Sequence, residues 1–395
     1  MAKNGNHWSR TMIETFSYGF YEYAGCAYPD KSSALDAVVK VNDQNPQIHF
    51  NFNDHVFSQI DWTQEPPFTI DQLYQQRAKQ LRDQYNYLIL MYSGGSDSRQ
   101  VLHSFLDNGI FLDEVVSLHP KKLMEKVPVV ADINHNYASL FEFDLTTLPG
   151  LRDLHQVSPN TKISIVDSSD DLLDYYKDDN YWSDRQPISR LGNVYWTIST
   201  NAGLQHARQA SEGRGKVGVI YGCDKPNISV QDNKMFFFFL DTGFAGSQSQ
   251  RKTNAVNFDA ISFFSSADAP LIPVKQCHMI KKLMEKMPLV YKAFAQTHDS
   301  GWSPRTREIT KHIVYPSWNV NIFQGNKDTH FKFDQLKEFF KYIEPRMGQA
   351  QYSRRNSFMS QYKKINGISG EHIFMIHCPG THYYVGTVNP PQIRR

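Results

Sequence analysis

One stretch constrains the chain more than any other. Residues 87–102 read YLILMYSGGSDSRQVL, an apolar run, a turn rich in serine and glycine, and an amphipathic segment. The run from Tyr87 to Tyr92 is apolar over its whole length, which suits a strand covered on both faces in a parallel sheet. Gly94 and Gly95 have no Cβ, so the backbone there can turn tightly and approach a ligand closely. Ser96, Asp97 and Ser98 occupy the positions where helix N-caps are expected. The spacing therefore predicts strand, loop and helix, with backbone N–H groups and the positive end of a helix dipole turned to the loop. Such a loop suits a polyphosphate.

No Gly-Lys-Ser/Thr follows the glycines, so the loop is not a Walker A sequence. It matches Ser-Gly-Gly-x-Asp-Ser at Ser93, Gly94, Gly95, Ser96, Asp97 and Ser98. In this it resembles the PP-loop of the N-type ATP pyrophosphatases, a superfamily that includes asparagine synthetase, β-lactam synthetase, NAD and GMP synthetases and tRNA thiolases. The alternative for these residues alone is a glycine turn with a capping aspartate. The resemblance implies an α/β fold with a doubly wound parallel sheet of the PP-loop/HUP type. It also implies ATP and Mg²⁺ as cofactors.

Further parallel strands are expected at residues 115–118 and 162–166, each ending in polar residues. Helix 98–108 puts Val101, Leu102, Phe105 and Leu106 on one face and stops at Gly109, a left-handed C-terminal position. The strand–loop–helix–strand order predicts a right-handed crossover, with the end of the second strand, Ser117, Leu118 and His119, beside the loop. In the resembled superfamily this edge contacts adenine through main-chain groups, which makes Leu118 a cofactor-binding candidate. His119 is either a ligand neighbour or an ordinary strand-end residue. Asp167, Ser168 and Ser169 are either site residues or the cap of a helix over 170–177, where Asp170 and Asp171 also fit. Residues 181–190, YWSDRQPISR, could orient an anionic or planar substrate or form a solvated loop around a packed Trp182.

The second informative stretch is KVGVIYGCDKP, residues 216–226. An apolar strand here delivers Gly222, Asp224 and Lys225 at its carboxyl end. Asparagine-synthetase-like proteins end a corresponding strand in a Gly-Glu-Gly-Ala-Asp-Glu turn that holds magnesium and pyrophosphate. The present turn departs from that pattern, so only Gly222 and Asp224 carry over. By its chemistry, Asp97 and Asp224 would be oxygen ligands for Mg²⁺ and Lys225 a point charge near the phosphates. A turn capped by Asp224 and stopped by Pro226 is the other reading.

Three regions are expected: an N-terminal α+β region over 1–84, the PP-loop domain over 85–245, and a mostly helical domain over 246–395. In the first, residues 31–41 have helical spacing, 47–52 alternate as a strand, and Thr69-x-x-Gln72 forms a capping box that opens a helix reaching about Arg82. The asparagine synthetases carry a glutaminase domain with a cysteine next to the initiator Met at this end. Ala2 stands there instead, so nitrogen is expected as ammonia or an amine. Residues 235–240, MFFFFL, read as a strand or a buried helix segment, and 242–257 as a mobile loop or lid. Helices are expected over 274–286, 334–343 and 352–364. Arg305, Arg307, Lys311 and Lys327 fall in a loop-rich stretch that could close over the phosphates. The decapeptide KKLMEKVPVV at Lys121 recurs as KKLMEKMPLV at Lys281, without support for a duplicated domain.

Cys26, Cys223, Cys277 and Cys378 are scattered with no C-x-x-C pair, which argues against structural zinc, iron–sulfur clusters and thiolase chemistry. A net charge of +2 from 42 basic and 40 acidic residues carries no global signal for nucleic acid or membrane. Lys341, Arg346, Arg354, Arg355, Lys363, Lys364, Arg394 and Arg395 face only Glu344 and Glu371 over 341–395, a surface for nucleic acid or simply solvated helix faces. No stretch has the apolar length of a membrane span or signal peptide, so the expectation is a cytoplasmic protein without a membrane partner. An AMP-forming ligase or amidotransferase is expected, which adenylates a carboxylate or carbonyl oxygen of a small molecule with release of pyrophosphate, after which an amine or ammonia displaces AMP. The alternatives are a nucleobase-modifying enzyme on tRNA or DNA, or a non-catalytic nucleotide-binding protein.

Overall fold

Two sheets organise the chain. The computed structural model describes residues 19–28, 46–119, 121–124, 142–170, 194–223, 225–240, 258–296, 304–318, 321–322 and 378–389, with isolated positions between 34 and 43. The first sheet has six strands in the order β2-β1-β3-β11-β9-β8: β1 Phe20–Tyr23, β2 Cys26–Tyr28, β3 His49–Asn51, β8 Asn227–Gln231, β9 Lys234–Leu240 and β11 Pro379–Thr387. The second has five strands, all parallel, in the order β10-β7-β4-β5-β6: β4 Tyr87–Met91, β5 Glu114–His119, β6 Lys162–Asp167, β7 Val217–Tyr221 and β10 Phe258–Ser262.

Among the described residues the continuous helices, in chain order, are α1 Asp54–Phe57, α2 Ile70–Gln84, α3 Ser96–Leu106, α4 Lys121–Met124, α5 Leu148–Val157, α6 Val194–Ser211, α7 Leu271–Lys286, α8 Pro288–Ala295 and α9 Pro304–Val314. A short π-helical turn, Phe143–Thr147, leads into α5. The capping box at Thr69 and Gln72 is present, with Gln72 N–H donating to Thr69 Oγ1 over 3.1 Å and Thr69 N–H to Gln72 Oε1 over 2.8 Å. Gly109 follows α3 at a φ of +64°.

Alternation along the parallel strands feeds two cores. Leu88, Leu90, Val115, Ile220 and Ile261 join the cluster that contains Leu73 and Leu81 of α2 and Val101, Leu102 and Phe105 of α3. Tyr87, Ile89, Val116, Val217, Val219 and Ala260 face the other way, onto Ala207 and Ala210 of α6. Helices thus cover both faces, the arrangement of a doubly wound α/β sheet. The sheet does not end at residue 245, since β10 pairs with β7 along Phe258–Ser262.

The amino end of this sheet is tied by one carboxylate. Glu114, the first residue of β5, is fully buried and accepts hydrogen bonds from Tyr87 Oη (2.9 Å) and Ser164 Oγ (2.5 Å). His206 Nε2 lies 2.7 Å away and Lys162 Nζ 3.0 Å away. Burial pushes the Glu114 carboxyl up, but the bonds from His206, Ser164, Lys162 and Tyr87 outweigh it and hold it at about 2. Three strands and α6 are fastened together there.

The apolar run MFFFFL is strand β9, and it belongs to the six-stranded sheet. Its Phe237 stacks on Trp62 at 4.7 Å, and Tyr383 of β11 stacks on Trp62 at 4.9 Å. A register shift between Pro379 and His382 marks a bulge in β11. Beside it, Thr381 Oγ1 and Tyr383 Oη both donate to Asp54, the latter over 2.8 Å. Of the expected C-terminal helices, 274–286 lies within α7, while 334–343 and 352–364 fall outside the described residues. So do the segment 242–257, residues 181–190, the helix expected beyond Asp170 and the basic residues of 341–364 and 394–395. Within 31–41, Ala34 and Val38 are helical and buried.

Candidate functional site

The strand order itself locates a crevice. From β4 the chain steps to β5 and β6 on one side, then crosses to β7 on the other side of β4. Between β4 and β7 the order reverses, and the carboxyl ends of strands at such a switch point are where parallel sheets bind ligands. The two motifs singled out in the sequence follow these two strands.

After β4 the backbone turns at Ser93 and Gly94, the latter at a φ of +73°. A Cβ on Gly94 would come within 2.7 to 2.9 Å of Thr147 Oγ1, Cα and N, so glycine is required on two counts. Helix α3 starts at Ser96 with Gly95 as its N-cap, at φ −71° and ψ 166°, and no side chain caps it. Ser96, Asp97 and Ser98 are therefore the first turn rather than the cap. Their side chains serve the loop: Ser93 N–H donates to Ser98 Oγ (3.2 Å), and Ser98 Oγ donates to the Gly95 carbonyl (3.2 Å). An uncapped helix start behind a glycine turn leaves its N-terminal dipole available to an anion.

The turn after β7 presses against that helix. A Cβ on Gly222 would lie 2.8 Å from Asp97 C, Asp97 O and Ser98 Cα, so only glycine lets the two segments meet. The Cys223 carbonyl is held by Ser262 Oγ of β10 at 3.0 Å. From this turn Lys225 reaches Asp97, with Nζ 2.5 Å from Oδ1. The Lys225 ammonium also lies 5.4 Å from the centre of the Tyr315 ring. Asp224 falls outside the described residues.

Two further elements frame the loop. Thr147 Oγ1 donates to the Ser93 carbonyl over 2.8 Å, fixing the π-helical turn onto the loop. At the end of β5, His119 stacks on Phe143 with ring centres 3.9 Å apart, and burial pushes its imidazole pKa down, favouring the neutral ring. Leu118 packs against Gly203 of α6, whose Cβ would lie 3.5 Å from Leu118 Cδ1 and 2.8 Å from Met91 Cε. Asp167 Oδ1 accepts from Ser169 N–H over 2.9 Å, the local turn of a helix-capping aspartate.

The stretch expected to be loop-rich contains helix α9. Thr306, Thr310 and Val314 form its buried face, so packing overrides the modest helix propensity of these β-branched residues. Lys311 is buried too, with Nζ 2.5 Å from Glu308 Oε1 and 4.6 Å from the Trp318 ring, which accounts for its charge locally. Just beyond α9, Ser317 N–H and Oγ donate to Gln100 Oε1 of α3, over 3.0 and 2.8 Å. Tyr315, Gln100, Thr147 and Phe143 were not foreseen, and no local sequence pattern marks them.

Among the described residues no group of three or more His, Cys, Asp or Glu side chains is placed to hold a metal ion. A single carboxylate, Asp97, beside a glycine loop at a helix N-terminus would fit Mg²⁺ only together with a phosphate ligand, because Mg²⁺ keeps several waters and takes further oxygens from phosphates. No helix among the described residues is long and apolar enough to cross a membrane. Comparison with protein-family models and with curated proteins finds no match.

Proposed function

We propose that this protein is an ATP-dependent, AMP-forming ligase of the PP-loop type, similar to the asparagine-synthetase-like enzymes but without glutaminase chemistry. The single observation that carries this reading is the 2.5 Å contact between Lys225 and Asp97 at the crevice where the strand order reverses. It brings together a glycine loop at a helix N-terminus, a carboxylate and a cation from two segments remote in sequence, which is the set of groups that phosphoryl chemistry needs.

Ser93 to Ser98 would cradle the β- and γ-phosphates through main-chain N–H groups and serine hydroxyls. Lys225 would stabilise charge on the departing pyrophosphate. A substrate carboxylate or carbonyl oxygen would form a bond to the α-phosphorus as the bond to pyrophosphate breaks. An amine or ammonia would then attack the adenylated carbon, release AMP and lose a proton to solvent. Mg²⁺, held on Asp97 and Asp224, would supply further neutralisation of the phosphates. Leu118 and the neighbouring main chain would border the base.

The test is pyrophosphate release from Mg·ATP by purified protein, with pools of carboxylic acids, amines, tRNA and DNA. Stimulation by a pool of acids or amines supports the ligase and names its substrate class. Stimulation by tRNA or DNA would move the acceptor to a nucleobase. ATP binding with no release under any pool would reduce the site to a nucleotide sensor.

A further inference from the structure

Asp97 lies in the first turn of α3, where the helix dipole favours an anion and disfavours a cation. The Lys225 ammonium at that position is therefore drawn by the carboxylate and not by the helix. It is largely enclosed, with 11% of the Lys225 side chain exposed against 28% for Asp97. A second anchor exists in the Tyr315 ring face, itself buried, at 5.4 Å. Tyr315 stays registered to α3 because Ser317, two residues on, bonds Gln100 over 3.0 and 2.8 Å. The ammonium thus sits on a flexible four-carbon stem between a carboxylate and an aromatic face that are both fixed to one helix.

We infer that Lys225 and a divalent cation are alternative occupants of Asp97. Without nucleotide, the ammonium closes the carboxylate to free metal. When a nucleoside triphosphate enters with its metal, the ammonium transfers to a phosphate oxygen while remaining against Tyr315, and Asp97 becomes available to the cation. Metal and phosphates then arrive together, so the protein does not accumulate a metal-loaded, nucleotide-free form. Lysine suits this exchange because it is a compact point charge on a mobile stem, whereas the rigid fork of arginine would favour a lasting bidentate pair. The inference rests on the reading of the loop as a nucleotide site.

The experiment is Mn²⁺ binding to the nucleotide-free protein, read as loss of the free-ion signal in electron paramagnetic resonance. Lys225→Met should bind Mn²⁺ on the order of tenfold more tightly than the wild type, with Mg²⁺ competing. Adding Asp97→Asn to that variant should remove the gain. Thermal melts would verify folding, and Lys225→Gln serves as a second variant if the methionine protein does not fold. Equal Mn²⁺ affinity in wild type and variant, including no binding by either, would overturn the inference, as would a gain that survives Asp97→Asn. Mg·ATP binding, measured separately by equilibrium dialysis, separates the two ideas. A Mn²⁺ gain without ATP binding sinks the nucleotide reading and leaves the competition standing.

Discussion

At the amino end of the parallel sheet, Glu114 is sealed from solvent and bonded by Tyr87, Ser164, His206 and Lys162; at the carboxyl end, Asp97 stands partly exposed beside Lys225. Both are carboxylates near a cation, yet they are built for different ends. The donors around Glu114 come from β4, β5's neighbour β6, and α6, so withdrawing the carboxylate would loosen several elements at once. The Lys225 ammonium comes from the turn after β7, outside the strand pairing of the sheet. A carboxylate saturated by donors from several elements ties a fold together, while one paired with a single lysine from a turn is placed for the exchange inferred above.

Substitution at the two positions should separate these roles. Asp97→Asn is expected to lower pyrophosphate release by at least about 100-fold, the scale of losing one electrostatic stabiliser, with a smaller loss of stability than at Glu114 because the pair with Lys225 is partly exposed. Retained turnover would end the functional reading of this end of the sheet. Glu114→Gln should instead lower stability by about 2 to 3 kcal/mol in urea, through lost charge-assisted bonds, while turnover per folded molecule is preserved. An active-site defect without destabilisation would erase the contrast.

Acid sharpens the same comparison. The folded Glu114 carboxyl lies at about 2 and its ordinary value is 4.5. A depressed folded pKa means that the stabilisation is fully present above the ordinary value and is lost as pH falls from there through about 2. Urea midpoints of the wild type should drop across this window, and the Glu114→Gln protein should show a shallower fall.

Smaller effects are expected around the loop. Gly94→Ala places a Cβ in left-handed backbone and against Thr147, so about 1 to 3 kcal/mol of strain should appear as lower stability and weaker ATP binding in calorimetry. Thr147→Val removes the bond to the Ser93 carbonyl and should cost about 1 kcal/mol, read as a severalfold rise in KM for ATP with little change in kcat. If Thr147→Val left KM untouched, the π-helical turn would be packing only.

Much of the parallel sheet was legible in the sequence because strands buried on both faces read as unbroken apolar runs, as at Tyr87 to Met91 and Val217 to Tyr221. The capping box at Thr69 and the stop at Gly109 were legible because their chemistry is local. The expectation that the loop motif and Lys225 share one site comes from the resemblance and its chemistry, because their meeting depends on a strand crossing to the far side of β4. Local periodicity does not encode such crossings, nor the approach of Tyr315 and Gln100 through α9. Strand β11 went unread for a related reason: PGTHYYVGT carries Pro379, Gly380 and Gly386 inside the strand, where they dilute the alternation. The sequence of α9 reads as loop because its buried face uses Thr306 and Thr310, residues that favour a helix only when packing demands it.

The insertion of β11 between β3 and β9 has a consequence for how the molecule is assembled. Asp54, at the start of α1 just after β3, and Thr381 of β11 are bonded although 327 positions separate them in the chain. Contacts at such separation carry a large loop-closure cost and form slowly, so the parallel sheet, whose strands are nearer neighbours in sequence, can assemble first. During synthesis β3 and β9 would emerge with unsatisfied edges and wait for the late strand that joins them. The wait leaves the Phe-rich β9 open to mispairing, a cost of closing one sheet with segments from opposite regions of the sequence.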